Sequence, residues 1–285
     1  MKKYFKLMRI HHYLKNGLIF LPLVFGGLLF DIELLTKAVL GFIVFSFLAS
    51  TIYIINDIFD VEKDRQHSTK CNRPIASGAV SIKKAWILAG GLLIVSGIIT
   101  YFSFPFSIYT YMLLVGYVIL NFAYSMGLKN VPLVDIIILV SGYLIRVLFG
   151  SAITGIAVSS WLYLLVITIS FYLGLGKRRN EIVKQNGETR KVLKYYNYNF
   201  LDKNMYMFLT LAIVFYSLWA LDVVTIAKFS AGLLWTIPVV MLIVMKYNLQ
   251  LEGNSSGDPI EVLLGDKILM ALVALYIAIV YFIIY

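Results

Sequence analysis

Long uninterrupted apolar blocks decide what this chain can fold into. Residues 18–29, 38–55, 108–124 and 268–285 carry no charge, and each is long enough, or nearly so, to cross about 30 Å of hydrocarbon as a helix. Hydrophobic residues fill 60% of the 285 positions and charged ones 14%. That leaves too little polar surface for water to solvate a folded domain of this length, so lipid must supply much of the solvent contact. The expected fold class is all-α: a polytopic membrane protein forming one domain over residues 1–285. Lys2, Lys3 and Lys6 ahead of an apolar run have the look of a secretion signal. No small-residue cleavage site follows, so a retained first span is expected.

Hydropathy predicts nine spans, near residues 17–35, 37–55, 85–103, 107–126, 132–152, 159–176, 205–223, 229–246 and 267–285. The longest polar interruptions are 56–84, 177–203 and 246–267. With the N-terminus in the cytoplasm, 22 of the 25 Lys and Arg residues fall on the cytoplasmic side. Only Lys37 and Lys228 fall outside, and Arg146 lies within a span. This bias obeys the positive-inside rule and predicts a multi-pass plasma-membrane protein with cytoplasmic polar loops. The net charge of +10 is then a topology signal and an attraction to anionic headgroups. No soluble basic face exists to carry nucleic acid. Cys71, the single cysteine, cannot form an internal disulfide and reads as incidental.

The chemistry concentrates just after the second span, in Asn56-Asp57-Ile58-Phe59-Asp60-Val61-Glu62-Lys63-Asp64-Arg65. On a continuing helix, Asp57, Asp60 and Asp64 share a face, and so do Asn56, Asp60 and Asp64. Carboxylates held that close repel unless a cation sits among them. Hard oxygen donors without His or Cys suit Mg²⁺, which takes few carboxylates and completes its shell with water and phosphate oxygens. Lys63, Arg65, Lys70 and Arg73 follow, then Pro74 and the turn-forming Ala76-Ser77-Gly78. Metal and cations side by side are what a diphosphate leaving group requires. The alternative is a solvated loop whose acids and bases pair locally.

This motif resembles the first aspartate-rich motif of the UbiA-type intramembrane prenyltransferase superfamily, and the resemblance covers essentially the whole chain. It implies nine transmembrane helices around a central cavity opening to the cytoplasmic side, where Mg²⁺ and a diphosphate are held. Carried over, it makes Asp57, Asp60 and Asp64 the catalytic, metal-binding set, with Asn56 as a further metal ligand.

The loop after the sixth span departs from the superfamily's second aspartate-rich motif. It reads Gly176-Lys177-Arg178-Arg179-Asn180-Glu181, then Glu188-Thr189-Arg190-Lys191. Basic residues dominate it, which suits direct phosphate binding, with Arg able to grip in a bidentate way. The loop is similar to that of the polyprenyl-phosphate phosphoribosyltransferase branch. Arg9 with Lys15-Asn16, Asp135 and Arg146 flanking Tyr143-Leu144-Ile145, and Gly257-Asp258-Pro259-Ile260-Glu261 also agree with that branch. The resemblance implies transfer of phosphoribose from phosphoribosyl diphosphate to a polyprenyl phosphate lipid. Lys15, Lys70, Arg73, Arg146, Lys177 and Arg178 then bind substrate phosphates. Two other readings stay open: prenyl transfer from a prenyl diphosphate to an aromatic or glycerol-phosphate acceptor, and a membrane transporter.

Asp135 and Arg146 lie eleven residues apart on one helical face, too far apart to pair. They line a polar cavity or tie their span to neighbouring helices. His11 and His12 read as solvated interface residues. Gly90, Gly91, Gly97, Gly142, Gly150 and Gly155 are expected at close helix contacts.

Overall fold

The computed structural model describes residues 2–67, 69–104, 107–183, 191–253 and 257–285. In chain order its α-helices are α1 (Lys2–Met8), α2 (Leu21–Phe25), α3 (Ile32–Phe59), α4 (Val61–Gln66), α5 (Ile82–Ser103), α6 (Ile108–Met126) and α7 (Val134–Thr154). There follow α8 (Ser160–Val183), α9 (Tyr198–Leu221), α10 (Val223–Lys228), α11 (Thr236–Glu252), α12 (Pro259–Leu264) and α13 (Lys267–Ile284). Five 3-10 segments interleave them: Ile10–Phe20, Lys70–Asn72, Leu128–Asn130, Lys191–Tyr195 and Ala231–Trp235. No strand occurs among the described residues.

Eight stretches are long and apolar enough to cross a membrane: α3, α5, α6, α7, α8, α9, Ala231–Glu252 and α13. Each overlaps a span expected from hydropathy. Capping chemistry sets where several of them start. The side chains of Asp31, Ser81, Asn197 and Asp266 accept from the backbone N–H of Leu34, Lys84, Phe200 and Leu269, at 3.0, 3.4, 2.7 and 2.8 Å. The outer faces of α6 and α13 expose Ile108, Met112, Ile119, Ile268, Ile277 and Phe282. Apolar groups displayed all round a helix call for lipid rather than water as their solvent.

The first expected span, 17–35, is not a single helix. Ile10–Phe20 is 3-10, α2 lasts five residues, and a turn through Gly26 and Gly27 (φ 65°) precedes Asp31. Pro22 opens α2 and Asp31 caps α3, so local chemistry breaks the run where hydropathy sees continuity. The 3-10 segment rises about 2 Å per residue and α2 about 1.5 Å, a summed rise of about 30 Å.

The chain groups into two compact units, Met1–Met126 with Ile145–Ile156, and Gly127–Leu144 with Ala157–Tyr285. In the first, α3 packs against α5, α1, α6 and Ile10–Phe20. Phe45, Leu48, Ile52, Tyr117 and Phe149 form part of its core. In the second, α8 runs along α9, and α11 packs on α13. Tyr172, Leu175, Leu201, Met205 and Leu209 lie at the centre of that core.

Of the glycines expected at helix contacts, Gly150 is one. A Cβ built there would lie 2.1 Å from the carbonyl oxygen of Ile19. Gly90, Gly91 and Gly97 have open space instead, which corrects the expectation for those three. Gly155 has open space too, and its φ of 73° suits it to the end of α7. Gly150→Ala is expected to lower stability by roughly 1–3 kcal/mol, because backbone cannot move aside as a flexible side chain can. Gly90→Ala should be neutral or stabilising by up to about 1 kcal/mol. Thermal unfolding of the two variants in one detergent checks the contrast.

Candidate active site

The aspartate-rich segment keeps helical register across a bend. The N–H of Asp60 donates to the Asn56 carbonyl at 2.9 Å, and that of Asp64 to the Asp60 carbonyl at 2.8 Å. Asp60 itself sits between α3 and α4 with φ −91° and ψ 7°. Residues 56, 57, 60 and 64 therefore share one helical face.

The three aspartates have different surroundings. Asp57 is buried, and its Oδ1 accepts from Arg9 Nη2 at 2.7 Å and Arg73 Nη1 at 3.1 Å. Asp64 is buried too, and its Oδ2 accepts from the same Arg73 Nη1 at 2.6 Å. Asp60 is 37% exposed and 4.0 Å from Lys63 Nζ. The structure thus brings Asp57 and Asp64 together on Arg73 and leaves Asp60 open. Among the described residues no three His, Cys, Asp or Glu side chains are grouped to hold a metal. Asp60 and Asp64 with the Asn56 carboxamide still make a hard-oxygen set of the size Mg²⁺ uses, one or two carboxylates with water and phosphate completing the shell.

Apolar anchoring fixes the loop that delivers Arg73. Ile75 and Val80 are buried with Leu7, Ile54, Ile58, Val61 and Ala85. Between them Ser77 N–H donates to the Arg73 carbonyl, Val80 N–H to that of Pro74, and Gly78 takes φ 76°. The N-terminal helix braces the same loop. Lys3 Nζ donates to the Ala79 carbonyl at 3.0 Å and Lys6 Nζ to that of Asn72 at 3.1 Å. Arg9 stacks on Tyr53 with a left-handed backbone, φ 53° and ψ 49°. That conformation costs a non-glycine residue about 1–2 kcal/mol. Sequence reading noted Arg9 and missed its partner; the buried Leu7 among three lysines was the available sign that α1 packs inward.

Lys15 lies half-buried on the 3-10 segment beside the buried Asn16. Arg146, 6% exposed, donates through Nε to Asn16 Oδ1 at 2.7 Å and through Nη2 to the Tyr117 hydroxyl at 3.2 Å. Phe45 and Tyr117 carry its guanidinium on their ring faces. Of the two expectations for Arg146, the tie between helices is the one these contacts realise. Lys70 opens the 3-10 turn before Arg73 and is exposed.

In the second unit the basic run meets carboxylates from distant parts of the chain. Lys177 Nζ lies 3.2 Å from Asp258 Oδ2. Arg178, 1% exposed, donates through Nε to Asp135 Oδ2 at 2.7 Å and through Nη1 to Glu181 at 2.8 Å. Arg179 pairs with Asp202 at 2.9 Å and with Glu252, and stacks on Tyr198. Arg178, expected to bind a substrate phosphate, is held in an internal ion pair in this structure. Asp135 likewise ties α7 to α8. Tyr196 completes this network, its hydroxyl donating to Asp135 Oδ1 at 2.7 Å and accepting from Leu133 N–H at 2.6 Å. Burial and the neighbouring Asp135 push the Tyr196 phenol up to about 12, so it keeps its proton at neutral pH. Glu188 and Arg190 lie outside the described residues.

Comparison with known proteins places these observations. A family model described as the UbiA prenyltransferase family matches residues 19–257. A decaprenyl-phosphate phosphoribosyltransferase from Mycolicibacterium smegmatis is 32% identical, the match covering 94% of this chain and 87% of that protein. Its namesake from Mycobacterium tuberculosis is also 32% identical, over 96% of this chain and 91% of the relative. The solved structure of a UbiA homologue from Archaeoglobus fulgidus bound to GPP and Mg²⁺ superposes with a TM-score of 0.68 at 20% identity, covering 99% of both chains. That likeness speaks for the fold. The chain is a multi-pass membrane transferase, and it belongs to the UbiA prenyltransferase family.

Proposed function

We propose that the chain transfers 5-phosphoribose from phosphoribosyl diphosphate to a polyprenyl phosphate of the decaprenyl type, releasing diphosphate. It acts as a single transferase domain of the plasma membrane, its active-site loops in the cytoplasm, and feeds lipid-linked sugar and envelope synthesis. The observation that carries this reading is the 32% identity to decaprenyl-phosphate phosphoribosyltransferases along 94% of the chain. The charge bias of the polar loops supports the orientation.

The reaction exchanges the C1–O bond between ribose and diphosphate for one between C1 and an oxygen of the lipid phosphate. That acceptor is already anionic near neutral pH, so no strong base is needed to activate it. Asn56, Asp60 and Asp64 would hold Mg²⁺, which would supply Lewis-acid charge to the leaving diphosphate. Asp57 keeps Arg9 and Arg73 beside that set, and Arg73 with Lys70 takes diphosphate oxygens as negative charge gathers there. Arg146, bonded to Asn16 and Tyr117, ties helices together, whereas Lys15 is assigned to a further substrate phosphate. Lys177, 30% exposed, keeps access for the same role in the second unit, whereas Arg178 serves as a brace.

The second reading is prenyl transfer. A digeranylgeranylglyceryl phosphate synthase from Sulfurisphaera tokodaii is 35% identical, over 47% of this chain. One assay separates the two. Membranes bearing the protein receive labelled phosphoribosyl diphosphate, decaprenyl phosphate and Mg²⁺, and label is counted in the organic phase. Metal-dependent label there is the expected result. Transfer from a prenyl diphosphate to an aromatic or glycerol-phosphate acceptor, with none from the ribosyl donor, would reverse the order.

A further inference from the structure

Arg73 stands where a cation balancing the aspartate-rich motif belongs. Its Nη1 reaches both Asp64 Oδ2 at 2.6 Å and Asp57 Oδ1 at 3.1 Å, and Arg9 adds a second guanidinium at 2.7 Å from Asp57. Both carboxylates are nearly sealed from water, at 3% and 5% side-chain exposure. Two negative and two positive charges make this buried set neutral as it stands. A divalent ion arriving at Asp60 and Asp64 without diphosphate leaves one surplus positive charge, even with Asp60 counted, beside carboxylates that water screens poorly. A diphosphate restores the balance, and it also offers a guanidinium the paired oxygen acceptors that geometry favours. Arg73 has room to turn: its side chain is 29% exposed while its backbone is pinned by the Ser77 and Lys70 hydrogen bonds.

We propose that Arg73 is a resident counter-ion that competes with free divalent metal for Asp64, and that diphosphate relieves the competition by drawing the guanidinium away. Metal and diphosphate then bind as strongly coupled ligands, and metal alone binds weakly. The proposal rests on the reading that Asn56, Asp60 and Asp64 hold the metal. Asp57 has its own part in it: with Arg9 it retains Arg73 beside the site in the ligand-free state.

Mn²⁺ binding followed by electron paramagnetic resonance on the purified full chain tests this without turnover. Wild type, Arg73→Gln and a charge control, Lys83→Gln, are titrated with Mn²⁺ alone and with inorganic diphosphate, corrected for chelation by free diphosphate. Wild type and Lys83→Gln should bind Mn²⁺ alone roughly tenfold or more weakly than Arg73→Gln. Diphosphate should raise Mn²⁺ affinity roughly tenfold or more further in wild type than in Arg73→Gln, closing that gap. Equal affinities of wild type and Arg73→Gln for Mn²⁺ alone overturn the proposal. If no protein binds Mn²⁺ with diphosphate present, the metal site itself is wrong and the competition falls with it. Should Arg73→Gln not fold, wild type decides alone: an affinity raised about tenfold by diphosphate supports the coupling, and an unchanged one refutes it.

Discussion

Asp64→Asn is expected to cut turnover by on the order of 10²–10³-fold while leaving the protein folded. Asp64 shares a helical face with Asn56 and Asp60, and it is buried where Asp60 is open. Asn keeps its size and removes the charge, so a metal loses an anionic donor without a cavity appearing. The apparent Mg²⁺ requirement should rise with the loss of rate. Asp60→Asn should act in the same direction, because its open carboxylate is the other anionic donor. Asp57→Asn should differ in kind. Its carboxylate holds Arg9 and Arg73, so the variant should lose thermal stability more than its Mg²⁺ requirement shifts. Diphosphate release measured against Mg²⁺ concentration, with a melting curve for each variant, separates the two patterns. An Asp64→Asn protein that turns over at the wild-type rate with an unchanged metal requirement would remove the motif from the chemistry.

What could be read from the residues and what could not divides along physical lines. A helix facing lipid needs about twenty apolar residues, and that demand is written in continuous sequence, so α3, α5 to α9 and α13 were foreseeable. The first segment was not, because hydropathy carries no information on Pro22 opening a new helix or Gly27 turning out of it. The motif's spacing put Asp57, Asp60 and Asp64 on one face with Asn56 beside them. It could not show Arg9, which reaches Asp57 from 48 positions away. The second loop hid its ion pairs for the same reason. Lys177, Arg178 and Arg179 form a basic run when read alone. Their partners Asp135, Asp202, Glu252 and Asp258 are scattered along the chain and meet them only through the packing of α8 with its neighbours.

Arg178→Met should destabilise the protein by about 3–5 kcal/mol, the cost of leaving a buried charge without its counter-ion. Asp135 has no exposed surface, so water cannot replace the guanidinium. Tyr196 still donates to it, but a neutral hydroxyl offsets only part of a full charge. Tyr196→Phe alone should therefore cost less, about 1–3 kcal/mol, through the hydrogen bond lost by Asp135 and the Leu133 N–H left unmet. That bond also sets a pH limit. The phenol's pKa is raised on folding, from 10.0 to about 12, so its contribution is complete below about pH 10 and is lost as pH climbs through about 12. The double variant Asp135→Leu with Arg178→Met should recover much of the lost stability, since well-packed apolar groups often replace a buried ion pair at little cost. Melting temperature and phosphoribosyl transfer measured on the same three proteins then assign Arg178. A double variant that is stable and active makes the arginine a brace between α7 and α8. One that is stable but inactive would put its guanidinium on a substrate phosphate during turnover, and Asp135 would be the group that holds it in reserve.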